Sequence, residues 1–222
     1  MTAKMQQMLG EWNGLAKNML FGCESAAAEP FIANLAFSDN RFEINYWIGK
    51  PVPLYSYLYH EYVRNFMGNQ VATPFDECKD ESLWYRMGYS FSIGDALTII
   101  LDQDGNPKPF WGHVKSGHIA DKEKVIKLVA NLSRLYREGA KKYLYCGRMT
   151  SGVTVKCETV TLYRNETVGG VRELPAVISS LWEGEDGERI CILVNPTEKP
   201  QTCTVGDREI TVEPLNATML SV

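Results

Sequence analysis

From about residue 150 onward the chain is written in short β-branched runs broken by turn residues: "GVTVKCETVTLY", "LPAVISSLW", "ERICILVNP", "QTCTVG" and "REITVEPLNATMLSV". Val, Ile and Thr are stiff at the first side-chain torsion and pack well on a pleated surface, so such runs favour strands. The intervening "EGEDGE" and "VGDRE" supply Asp-Gly and Gly-Asp turns of the hairpin type. This pattern confines residues 149–222 to antiparallel sheet, and a small β-sandwich of about five to seven strands is expected there.

The first 148 residues follow a different rule. Met5, Met8, Leu9, Trp12, Leu15 and Met19 recur at three- and four-residue steps, which predicts an amphipathic helix over residues 3–17. "MLFG" then reads as a short buried strand, and "AAAEPFIANLAF" as a helix beginning near Ser25. An aromatic stretch follows, in which "VPLYSYL" has strand character and "YHEYVRNFMG" reads as a helix closed by Gly68. Strand–helix after strand–helix predicts a parallel α/β arrangement, with functional residues at the carboxyl ends of strands. On this reading Glu24 follows one strand, and His60 with Glu61 follows the next. Residues 77–103 read as two helices split near "GYSFSIGD", and Val125, Leu128, Val129, Leu132, Leu135 and Tyr136 mark a helix over residues 121–141.

Charge narrows the partners. The net charge of -4 comes from acids and bases mixed along the chain, with no basic stripe to hold a phosphate backbone, so nucleic acid is not expected. No run approaches the roughly 18 apolar residues of a membrane span, and no secretory signal is visible, so a soluble, cytoplasmic protein is expected. Six cysteines without a C-x-x-C pair argue against a zinc ribbon or redox dithiol, and read as buried thiols. His113 and His118 have no acidic companion at ligand spacing, so no metal site is expected.

The succession "LFGCESAAAEPFI", "PVPLYSYLYHEYVRNFMGNQ", "YSFSIGDALTIIL" and "KKYLYCGRM", followed by a β-region ending "ITVEPLNATMLSV", resembles the C-terminal part of glycoside hydrolase-like (β/α)8-barrel proteins. Within that group it is similar to a bacterial family whose last barrel strands carry a glutamate and a P-L-x-x-x-x-Y-H-E-Y segment, here Pro53 to Tyr62. A whole barrel takes about 200 residues at the least. The resemblance therefore implies an α/β chain with a partial barrel over residues 1–148 and a sandwich over 149–222. A partial parallel sheet leaves strand edges and an apolar face to be covered, so a homo-oligomer is expected. The resemblance further implies a carbohydrate substrate, an exo-acting hydrolase of β-galactosidase-like or related type, and no cofactor. The alternative is a non-catalytic carbohydrate-binding or assembly module descended from a barrel enzyme.

Glycoside cleavage uses two carboxyl groups, about 5 Å apart when configuration is retained and about 6.5 Å or more when it is inverted. Glu24 is the first candidate, by its place after a strand and by the resemblance; its plain structural role is an acid favoured near a helix N-terminus. Glu61 is the candidate partner, with His60 as a charged neighbour able to separate the two acidities, although "HEY" also serves simply to open a helix. Asp95 in "SIGDAL" is a further acid supported by the resemblance, or an ordinary helix start. Arg41 is suited to hold a carboxylate or sugar hydroxyl. Tyr46 and Trp47 offer flat faces for a pyranose ring, though aromatic residues at such spacings also build cores and subunit interfaces.

Overall fold

In β9 (Arg189–Asn195) every residue from Ile190 to Asn195 is buried, the mark of a strand covered on both faces. Its alternating side chains explain the layering. Ile190, Ile192 and Val194 face a helical layer, whereas Cys191 and Leu193 face a second sheet. A computed structural model describes residues 2–23, 29–39, 50–66, 80–98, 103–104, 121–163 and 170–222.

The sheet containing β9 also holds β4 (Arg148–Thr150), β8 (Ile178–Glu183) and β12 (Asn216–Ser221), in the antiparallel order β12-β9-β8-β4. Against its inner face stands the sheet β11-β10-β5, made of β5 (Val155–Cys157), β10 (Gln201–Val205) and β11 (Arg208–Val212). Val177, Leu181, Cys191, Leu193, Cys203, Val205 and Val212 fill the space between them. Gly206, at positive φ, closes the two-residue turn from β10 to β11, as the Gly-Asp pair predicts. A hairpin, β6 (Thr159–Tyr163) with β7 (Val171–Pro175), completes a sandwich-like C-terminal region.

The other face of the four-stranded sheet carries helices α3 (Asp80–Ser92) and α4 (Lys122–Leu135). All residues of α3 from Ser82 to Ser92 are buried, so it lacks the polar stripe of a surface helix. Gly88 lets it approach β9 closely, because a Cβ there would meet Val194 Cγ1 at 3.0 Å. Asp121 caps α4, its carboxylate accepting from the backbone N–H of Glu123 at 3.0 Å and Lys124 at 3.2 Å. A π-helical turn, Tyr136–Ala140, joins α4 to the short α5 (Lys141–Leu144). One buried cluster thus runs from Leu83 in α3 to Leu215 just before β12, across residue 148.

The N-terminal region is thinner. Helix α1 (Thr2–Leu15) forms close to where periodicity places it, but none of its residues is buried. Strands β1 (Gly22–Cys23), β2 (Phe37–Asp39) and β3 (Arg64–Phe66) form a parallel sheet in that order, extended by a parallel bridge from Phe66 to Ala96. Among the described residues no barrel closes around it. Gly22 has no room for a side chain, since the Phe37 ring lies 2.2 Å from where its Cβ would be.

Three expectations are corrected here. "AAAEPFIANLAF" yields a 3-10 turn over Glu29–Asn34 and then β2, not one helix. "VPLYSYL" is helical, α2 (Leu54–Tyr59), stabilised by the Tyr55–Tyr59 ring contact one turn apart, and the strand comes after it as β3. In "GYSFSIGD", α3 continues unbroken to Ser92 and ends at Gly94 in a left-handed conformation. Among the described residues no helix is long and apolar enough to cross a membrane.

Candidate functional site

In a parallel sheet all strands finish at one end, where loops and chemistry gather. Here Cys23 ends β1 and Asp39 ends β2, with Cys23 in register with Ser38 and Ser38 with Asn65. The Ser38 hydroxyl donates to Asn65 Oδ1 at 2.6 Å, tying β2 to β3. Asp39 is 3% exposed. Burial first, and then the nearby Asp39 charge, raise the Cys23 thiol above its ordinary range, so this thiol is a poor nucleophile at neutral pH.

Glu24, the next residue in sequence after Cys23, lies outside the described residues, as do Arg41, Tyr46 and Trp47. His60 and Glu61 are described, and their position is a correction. Because α2 replaces the strand expected before them, they precede β3 and stand at its amino side, not at a strand's carboxyl end. Glu61 is exposed, within electrostatic reach of Arg148, whose guanidinium donates to Glu183 Oε1 at 2.6 Å. That is a surface charge cluster.

His60 is part of a packed joint. Its ring is 2% exposed and meets the Trp182 indole edge-on at 4.7 Å between centroids. A Cβ on Gly94 would lie 2.4 Å from His60 Nε2, so glycine there is required by space as well as by its positive φ. Among the described residues neither ring nitrogen has a hydrogen bond of full geometry, although the backbones of Gly94, Leu144 and Gly147 lie near enough to favour the protonated ring. Burial outweighs them and, with the Arg64 charge, lowers the imidazole pKa. Trp182 is itself pinned, its Nε1 donating to Ser92 O at 3.1 Å and Ser180 Oγ at 3.0 Å. His60 therefore locks the α2–β3 corner onto β8.

Asp95 does not open a helix. It follows Gly94, is buried, and leads into Ala96, whose N–H donates to Asn65 O at 2.9 Å. Its backbone N–H donates to Ser90 O at 3.0 Å.

Sequence reasoning missed a cavity of about 460 Å³ beside β8. The first three residues of β8 run past the end of β4, where Thr150 pairs with Leu181, and the opening lies at that corner. Tyr85 and Tyr89 of α3, Thr150, Ser179, Ser180 and Lys50 contribute its aromatic and polar lining. The Tyr85 hydroxyl donates to Pro175 O at 3.1 Å, and burial holds both tyrosines well above the usual phenol range. The buried Thr150 hydroxyl has no hydrogen-bond partner among the described residues. Only contacts between elements far apart in sequence create this space, so no motif announces it. Among the described residues no group of three or more His, Cys, Asp or Glu side chains is gathered to hold a metal ion.

No family model, curated protein or solved structure matches this chain.

Proposed function

We propose that this chain is a glycoside hydrolase of the barrel type, with Glu24 and Asp39 as its pair of acids. One observation carries the reading. Cys23 and Ser38 are register partners on adjacent parallel strands, and the residue next in sequence to each is an acid, Glu24 and Asp39. Asp39 thus takes the place that the sequence assigned to Glu61. The substrate class is a carbohydrate cleaved at a chain end by two carboxyl groups and water, one carboxyl protonating the leaving oxygen and the other either attacking the sugar, to be displaced by water, or activating the water directly.

Self-association belongs to the same reading. Leu15, Leu20, Val52, Leu54, Leu58 and Tyr62 are all exposed on the N-terminal region, apolar surface of the kind a second copy of the chain would cover. A monomer at micromolar concentration in light scattering would overturn that part.

Turnover of chromogenic aryl glycosides of several sugars tests the chemistry. Glu24→Gln and Asp39→Asn should each reduce it by about a hundredfold or more, with folding checked by circular dichroism, while Glu61→Gln should leave it unchanged. Hydrolysis that persists in both of the first two variants removes the assignment. A second reading, a non-catalytic carbohydrate-binding module, is favoured by the cavity of about 460 Å³ with its two tyrosines and hydroxyl-bearing wall. Sugar binding without turnover, lost in Tyr89→Ala, would select it.

A further inference from the structure

A second cavity, of about 280 Å³, lies where Arg64 and Asn65 of β3 and the Gly94–Leu97 segment meet the π-helical turn and the end of α5. Its lining is rich in donors. Arg64 and Arg137 both border it, and neither has a carboxylate partner among the described residues. Arg64 is held in place by stacking 4.0 Å over the Tyr145 ring. Arg137 comes from the π-helical turn, a distortion of the helix ladder that often accompanies a functional site.

The inner wall supplies an independent sign. Asn65 is 3% exposed, and while its Oδ1 accepts from Ser38, its Nδ2 has no hydrogen-bond partner among the described residues. A buried donor without an acceptor is costly, so an amide left in this state beside a cavity marks a place for a ligand oxygen. Asp95, also on the wall, adds a carboxylate, which has lone pairs enough to accept from a hydroxyl besides its contacts within the protein. Guanidinium groups suit oxyanions because their paired N–H donors match two oxygens at once.

We propose that this cavity binds a monosaccharide-sized hydroxylated oxyanion, a sugar carboxylate or sugar phosphate. Arg64, Arg137 and Asn65 Nδ2 hold the oxyanion, and Asp95 accepts from a hydroxyl group. The volume is that of one such molecule. Asp39 does not line this cavity. Binding there does not depend on hydrolysis.

Isothermal titration of the full chain with glucuronate, glucose 6-phosphate and neutral glucose tests the site. At least one of the two anions should bind about tenfold or more tightly than glucose, and the tighter one identifies the oxyanion. Added salt should weaken that binding. Arg137→Gln, at an exposed position, should cost about tenfold in affinity without disturbing the fold. Asn65→Asp, which brings a second carboxylate to the inner wall, should abolish binding; if that variant does not fold, Arg137→Gln alone decides. Glucose binding as tightly as both anions, no heat with any of the three, or unchanged affinity in Arg137→Gln would overturn the proposal.

Discussion

The sheet around β9 and the sheet around β2 differ both in their residues, aliphatic in the first and mostly small, polar or aromatic in the second, and in how they are covered. Strand β9 has apolar layers on both sides, and its neighbours contribute to two buried clusters. The parallel sheet rests on a cluster whose fully buried members are Ile32, Leu35 and Val63, while Leu15 is 84% and Leu20 77% exposed nearby. Buried apolar area is what offsets the conformational entropy lost on folding. The difference therefore teaches that the C-terminal layers hold the fold, and that the parallel region is the part that opens first.

The largest effect that would sharpen this contrast is Trp182→Ala. It removes a fully buried indole, the two hydrogen bonds of Nε1 and the contact with His60. A loss of about 3–5 kcal/mol is expected in urea unfolding. A cost below about 1 kcal/mol would mean that this layer is not the stable one.

An intermediate effect comes from His60, which joins the two regions. Its folded pKa lies below the ordinary value of 6.5, so above that value both states are neutral and stability is at its full level. As pH falls through the unfolded value the unfolded chain takes up the proton first, and stability declines until the depressed folded value is reached. The urea midpoint should therefore drop between pH 7.5 and pH 5.5, and His60→Gln should flatten that drop. Equal pH slopes in the two proteins would break the assignment.

The smallest effect is expected at Leu20. In protein diluted until it is monomeric, replacing so exposed a side chain by Ser should change stability by less than about 0.5 kcal/mol. A loss that grows with protein concentration accords with a second copy covering this surface, whereas a larger loss in the dilute monomer would remove the contrast between the two regions.

What could be seen in the sequence follows the same division. The strands of the sandwich-like region were legible because β-branched residues alternate or run continuously between Gly and Asp turns, and α4 because its apolar residues keep a period near 3.6. A helix is legible in the first part of residues 77–103, but its run to Ser92 is not, because a helix buried on every side has no period to mark its end, and Ser82, Arg86, Ser90 and Ser92 are buried within it. The α2–β3 order was inverted because Tyr55, Tyr57 and Tyr59 have strand propensity that tertiary packing overrides, and a three-residue strand is too short to show alternation. The end of the first strand is legible close to Cys23, whereas the pairing of Cys23 with Ser38 and the strand end at Asp39 emerge only from the sheet itself. The two cavities join residues distant in the chain and had no local signal.

Strand β9 has a consequence for how such a chain can be divided. Since Trp182, Ile190, Ile192 and Val194 need the helices as much as Leu181 and Leu193 need the facing sheet, residue 148 is not a seam along which the molecule can be cut. A severed 149–222 piece would carry a greasy, unroofed plate into water and would precipitate or clump. Anyone transplanting these strands onto another scaffold must take α3 and α4 with them.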